Sequence, residues 1–173
     1  FKYIIHLADI HIRTGDRIAS RYDQYMTVFN NLISSISQFI ESKNIHDNTL
    51  IIIAGDIIHN KNRLENFGAK LLQYLIYNLT SIAPTIIIPG NHDFEQSYPD
   101  DPSMLEACLP PEYPNLIFLD KTCCFLYRNL GITTISIKDT LVKGEGSGIK
   151  PDNYTFPLNF NKTPDKIIGI FHG

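Results

Sequence analysis

The 173-residue chain has little of what marks several protein classes. It has three cysteines, Cys108, Cys123 and Cys124. That count is odd and no spacing resembles a zinc clamp, so neither a disulfide framework nor a zinc module is expected. Reduced thiols, serving as small buried side chains in an intracellular protein of the nucleus or cytoplasm, are expected instead. No apolar run is long enough to span a bilayer, and no membrane partner is expected. The opening Phe1-Lys2-Tyr3 lacks the sections of a secretory signal and does not begin with methionine, which reads as a processed piece or part of a longer chain. Internal repeats and low-complexity tracts are absent. Fifteen basic against 18 acidic residues give a net charge of −3, which is not the footprint of a nucleic-acid binder. Carboxylates that hold metal ions are neutralised by them, however, so this total understates the positive potential around a metal site.

What the chain does have is aliphatic density. Hydrophobic residues make up 43%, enough to fill the core of one domain covering residues 1–173. Tyr22, Met26, Phe29, Leu32, Ile33, Ile36, Phe39 and Ile40 recur at helical spacing, and so do Leu64, Phe67, Leu71, Leu75 and Leu79. Both patterns predict amphipathic helices, the second entered through Asn62 as N-cap. Their aromatic residues read as core rather than as a base-stacking platform. Strand-like runs at Tyr3–Leu7, Leu50–Ala54 and Thr85–Ile88 alternate with these helices, which argues for a parallel sheet covered by helices. A short helix is expected within Asp100–Leu109, near Asp101 or Ser103. Three further strand-like runs follow at Asn115–Leu119, Cys124–Tyr127 and Ile132–Ile137, with Asn129-Leu130-Gly131 as a hairpin turn between the last two. A mixed sheet, or two stacked sheets, is expected.

Each strand-like run of the first half ends on metal-ligand residue types. Asp9-Ile10-His11 follows the first run, Gly55-Asp56-Ile57-Ile58-His59 the second and Gly90-Asn91-His92-Asp93 the third. A late run, Lys166–Phe171, ends on His172. Open α/β sheets place ligands at the carboxyl ends of their strands. One Asp-x-His is weak evidence, but four such motifs in order are strong. His6, inside the first run, reads as a core histidine, and His46 as a solvated one.

These residue types fit one chemistry. A phosphodiester repels a nucleophile and its leaving oxygen gains charge; two cations about 3.5–4 Å apart relieve both problems. Asp9 and His11 can turn toward one ion. Gly55 allows a sharp bend into Asp56, the candidate bridging carboxylate. Asn91 offers an amide oxygen to the second ion, and His172 can reach that same ion. Imidazole and amide ligands suit manganese, iron or zinc better than calcium. His59 and His92 are then free to protonate the leaving oxygen or stabilise charge on the phosphate. Arg13, Arg17, Arg21, Lys61 and Arg63 lie beside the first two motifs; taken alone they read as ordinary solvated side chains, and only a nuclease resemblance makes them candidate DNA contacts.

The motifs Asp9-x-His11, Gly55-Asp56, Gly90-Asn91-His92-Asp93 and His172-Gly173 resemble, in order and over nearly the whole chain, the calcineurin-like metallophosphoesterases. That resemblance implies a four-layer α/β/β/α sandwich. Protein phosphatases usually carry a second Asp three positions after the bridging Asp, then Arg-Gly; this chain has His59, then Asn60-Lys61-Asn62. His59, the stretch Arg21-Tyr22-Asp23-Gln24-Tyr25 and the closing Asp93 are similar to the Mre-eleven/SbcD nucleases. The resemblance implies two manganese ions held by Asp9, His11, Asp56, Asn91 and His172, with His59 and His92 acting on the phosphate and leaving group. It further implies double-strand exonuclease and single-strand endonuclease activity in double-strand-break repair, a homodimer, and an SMC-like coiled-coil ATPase of the Rad-fifty/SbcC kind as partner.

One departure stands out. The family carries a later Gly-His-x-His motif that supplies a ligand to each ion, then a DNA-capping domain and an ATPase-binding tail; none of these is within residues 1–173. The catalytic domain is therefore expected to be C-terminally incomplete, and this segment alone nearly inactive. Two other readings share the sequence. A phosphatase or small-molecule phosphodiesterase needs no basic track, and an inactive scaffold relative would show lost ligands.

Overall fold

The computed structural model describes residues 1–13, 18–60, 64–95, 102–109, 113–140 and 155–172. The first half alternates strand and helix: β1 (Tyr3–Leu7), α1 (Ile18–Lys43), β2 (Thr49–Ala54), α2 (Asn66–Ile82) and β3 (Thr85–Ile88). A short helix α3 (Met104–Cys108) leads to β4 (Leu116–Phe118), and these four strands form one parallel sheet in the order β1-β2-β3-β4. A second sheet follows from β5 (Cys123–Tyr127), β6 (Leu130–Thr134) and, after the one-turn helix α4 (Ile137–Thr140), β7 (Lys166–Ile170). In it β5 and β6 are antiparallel while β6 and β7 are parallel.

The two-residue period of a strand sorts the core into two layers. On β2 and β3, Ile51, Ile53 and Ile87 pack against Phe29, Ile36 and Ile40 of α1 and Leu72, Leu75 and Leu79 of α2. Leu50, Ile52, Ala54, Ile86 and Ile88 face the other way, onto Leu130, Ile132 and Ile170 of the second sheet. Strands buried on both faces read as unbroken aliphatic runs, and β2 is buried at all six positions. The stacked sheets expected from the sequence are present. Three layers of the α/β/β/α sandwich, helix on sheet on sheet, are assembled among the described residues.

Several local expectations need correction. His6 is exposed rather than in the core, because β1 is the edge strand of its sheet. His46 is exposed, as expected. The N-cap of α2 is Glu65, which makes no side-chain capping bond; Asn62 lies outside the described residues. This helix is held by its buried face of Leu71, Leu72, Leu75, Ile76 and Leu79. For α3 the start is Ser103, whose hydroxyl accepts from the Glu106 N–H. The β5–β6 turn is Arg128-Asn129, since Tyr127 pairs with Leu130, and Arg128 adopts a φ of 55°. Gly131 is instead a strand residue whose missing Cβ makes room for the Phe160 ring.

Candidate metal centre

Three of the four motifs leave the carboxyl ends of β1, β2 and β3, side by side in one sheet. The fourth, His172, comes from β7 of the other sheet and reaches across, so the site sits where the two sheets meet rather than at one sheet edge. The loops are joined by backbone hydrogen bonds that continue the sheet past its strands. The Asp9 N–H donates to Gly55 O (3.2 Å), His11 N–H to Asp56 O (2.9 Å), Ile12 N–H to Ile57 O (2.8 Å) and Gly55 N–H to Ile88 O (3.0 Å). Asp9, His11 and Asp56 all lie in the left-handed region, at φ 55°, 48° and 52°. Non-glycine residues seldom go there, and such strain collects at functional sites that the surroundings hold in place. Those bonds are part of what holds it here.

Asp56 is the centre of the cluster. Its carboxylate is only 7% exposed. One oxygen, Oδ2, faces His11 Nε2 at 3.6 Å, and the other, Oδ1, faces His172 Nε2 at 3.3 Å. Asp9 Oδ1 lies 3.8 Å from the same His11 nitrogen. Oδ1 also accepts the His92 backbone N–H at 2.9 Å, which ties the third loop to the second. Asn91 is half-buried in the turn beside it.

The tautomer of His172 tests whether a cation belongs here. Its Nδ1 lies 2.8 Å from the Ala54 carbonyl oxygen. A carbonyl only accepts, so Nδ1 carries a proton, and Nε2 is the nitrogen turned toward Asp56 Oδ1. Two acceptors at 3.3 Å repel unless a proton or a metal ion lies between them. Ligand atoms about 2.0–2.2 Å from one ion lie about 3.0–3.3 Å apart, which matches. A backbone carbonyl fixing the far nitrogen of a metal-ligating histidine is the usual supporting arrangement. Asp9, His11 and Asp56 likewise present ligand atoms within 4.8 Å of one another. The residues therefore fit divalent metal on both sides of Asp56.

Two glycines permit this crowding. A Cβ on Gly90 would meet the Asp56 carboxylate and backbone nitrogen, and lie 2.7 Å from His172 Cδ2. On Gly55, at φ 76°, it would strike the His172 ring. Asp93 is 1% exposed and takes three backbone N–H donors: Ile58 on Oδ1 (2.7 Å), with Ile57 (3.2 Å) and Gly90 (2.8 Å) on Oδ2. Burial pushes its carboxyl up to about 6, against the pull of those donors.

His59 and His92 lie beside the cluster with rings stacked at 5.4 Å and 9°. Both are edge-on to His11, at 5.4 and 5.0 Å. His92 Nδ1 lies 2.8 Å from the His59 carbonyl oxygen, so Nδ1 carries a proton. Burial, reinforced by the Arg13 charge and the His11 and His92 rings, lowers the pKa of His59. Arg13 is exposed. Arg21 instead lines a cavity of about 650 Å³ between β1 and α1, with Leu7, Ile10 and Phe29; none of the candidate ligands lines it. Arg17, Lys61 and Arg63 lie outside the described residues.

A calcineurin-like phosphoesterase family profile matches residues 2–170. The chain belongs to the calcineurin-like phosphoesterases. It is also 30% identical over 177 residues to an uncharacterized protein of Acanthamoeba polyphaga mimivirus, an alignment covering 99% of this chain and 12% of that protein. The chain thus spans about an eighth of the viral relative. Membership of this family makes the chain a hydrolase domain that binds divalent metal, in agreement with the Asp56 geometry. No helix among the described residues is long and apolar enough to cross a membrane.

Sequence reasoning passed over one residue in this metallophosphoesterase site. The Tyr25 hydroxyl donates to the His11 carbonyl (2.8 Å) and accepts the Arg13 N–H (3.0 Å), pinning the first loop to α1. In the sequence it stood only within the Arg21–Tyr25 stretch that resembles the nucleases, with no role of its own. Asp93 was visible in the third motif, but its role as a clamp between loops was not.

Proposed function

We propose that the parent protein is a metal-dependent DNA nuclease that hydrolyses phosphodiesters at a two-metal centre. It would act as a double-strand exonuclease and single-strand endonuclease in double-strand-break repair or recombination. The observation that carries this reading is the stacked His59–His92 pair with Arg13 beside it, one step from the Asp56 cluster. Asp9, His11, Asp56, Asn91 and His172 would hold two divalent ions; the mixed oxygen and imidazole set suits manganese, iron or zinc, and the resemblance to the Mre-eleven/SbcD nucleases favours manganese. Bound there, the ions supply hydroxide near neutral pH and offset charge on the attacking and leaving oxygens.

The chain's own residues do the rest. The carbonyl of His59 holds the proton on His92 Nδ1, so a second proton taken up at Nε2 is the one available to the leaving oxygen. Neutral His59 and the Arg13 guanidinium offer donors to the phosphate. In this reading DNA is the substrate, and the partners are a second copy of the protein and an SMC-like coiled-coil ATPase of the Rad-fifty/SbcC kind.

The test uses the full-length protein with manganese, end-labelled linear duplex DNA and a simple aryl phosphate ester in parallel. DNA degradation abolished by His92→Ala supports the nuclease reading. Ester cleavage without DNA cleavage makes the protein a phosphatase of the same family.

A further inference from the structure

The turn that follows β6 touches both carriers of the second metal position. Asn91 belongs to the loop after β3, and His172 follows the end of β7. On the His172 side, the Ile135 N–H donates to Ile170 O (3.3 Å), two residues before His172. On the Asn91 side, Lys138 Nζ lies 5.7 Å from the ring centroid of Phe94, three residues after Asn91. That ring is packed on all sides, at 1% exposure. The same turn is strapped to the β4–β5 connection. Ser136 Oγ donates to Asp120 O (2.5 Å), Ser136 N–H to Thr122 Oγ1 (3.0 Å) and Thr122 N–H to Asp139 Oδ2 (2.6 Å).

We propose that Lys138 is a positioning residue for the second metal position: held by Asp120 and set over Phe94, it fixes the Asn91 loop against the strand that delivers His172. This role deepens the metallophosphoesterase reading and rests on its two-metal centre for the effect on binding.

Stability alone does not explain a lysine here. Its side chain is 9% exposed, and a buried ammonium is costly unless it is well paired. Asp120 Oδ2 lies 3.7 Å from Nζ, whereas a tight charge-assisted bond spans about 2.7–2.9 Å. An apolar residue of similar volume serves a buried site as well as such a pair, or better. What the charge adds is direction, because a cation is drawn to the face of an aromatic ring within about 6 Å of its centre. Asp93 already ties the Phe94 loop to the second loop through the Ile57 and Ile58 N–H groups. Lys138 ties it to the second sheet.

The first metal position has other supports. Asp9 and His11 are held by the Gly55 and Asp56 carbonyls and by the Tyr25 hydroxyl. Loss of Lys138 therefore weakens one position and spares the other, which a general loss of stability would not do.

The experiment titrates metal-free full-length protein with manganese, followed by calorimetry and electron paramagnetic resonance, beside urea unfolding. Lys138→Met keeps the bulk and removes the charge. It should weaken the second ion by about 10–100-fold and leave the first within about threefold, so that the spectrum of an exchange-coupled pair gives way to that of an isolated ion. Lys138→Arg should restore the pair. Phe94→Leu should behave like Lys138→Met, and stands in for it should that variant fail to fold. Unchanged binding of both ions in Lys138→Met and Phe94→Leu, or an equal fall at both positions that Lys138→Arg does not rescue, overturns the proposal. Metal-free crystal structures separate this role from the reading beneath it. Lys138→Met should break the 2.9 Å bond from the His92 N–H to Asp56 Oδ1 and keep the one from the His11 N–H to Asp56 O. That movement, in a protein whose unaltered form binds no manganese pair, removes the two-metal reading and leaves the positioning role standing. An unmoved third loop overturns the role whatever the metal does.

Discussion

Replacing Gly90 by alanine adds one methyl group to a residue with no side chain to offer a metal ion, yet it should damage the metal centre. The new Cβ would sit 2.7 Å from His172 Cδ2 and closer still to Asp56. Ordinary carbon contacts begin at about 3.5 Å, so the third loop must retreat by about 0.8 Å or push both ligands away. No flexible side-chain end lies in the way, because the opposing atoms are the Asp56 backbone and two residues locked by hydrogen bonds. Overpacking of this kind costs about 1–3 kcal/mol. A displacement of about 1 Å at a reacting centre costs about 100-fold in rate. The assay compares manganese affinity and DNA turnover of the full-length protein with and without the change, beside metal-free urea unfolding. Affinity and turnover should fall together while the secondary structure persists. Manganese affinity within threefold of the unaltered protein would refute the claim that Gly90 sets the distance between Asp56 and His172.

Other changes probe separate parts of the account. Asp56→Asn should lower manganese affinity by more than about 100-fold, measured by calorimetry, since both of its oxygens face ligand imidazoles. Tyr25→Phe removes two hydrogen bonds to the first loop and should cost about 1–3 kcal/mol in denaturant unfolding, with a weaker hold on the metal at His11. Asp93 gives a pH signature in the metal-free protein. Its folded pKa of about 6 lies above the ordinary 3.8, so the folded state binds the extra proton between those values. Its contribution is fully present below about pH 4 and is lost as the pH rises through about 6, a change of about 3 kcal/mol. Asp93→Asn should lack this dependence, so the stability of the unaltered protein minus that of the variant should fall by about 3 kcal/mol between pH 4 and 7.

Much of the fold was legible because its strands are buried on both faces. Unbroken runs such as Leu50–Ala54 can hardly be anything else between two helical patterns. The candidate ligands were legible for a related reason: polar residues that end such runs have few structural duties. What the sequence hid depended on contacts between distant segments. His6 alternates like a core residue, and only the position of β1 at the edge exposes it. Gly131 looks like a turn glycine, but the Phe160 ring lies over it. The linking hydroxyl of Tyr25 is 14 residues from its partner His11, a separation at which no local pattern connects them. That His172 arrives from the second sheet is likewise a matter of topology, since its preceding run resembles the other three.

The central claim is that Asp56 bridges two metal ions. Anomalous diffraction from crystals of the full-length protein soaked in manganese tests it most directly. The account predicts two peaks about 3.5–4 Å apart on either side of the Asp56 carboxylate, one near Asp9 and His11 and the other near Asn91 and His172. Two peaks elsewhere, or a single peak that Asp56 does not touch, would contradict it.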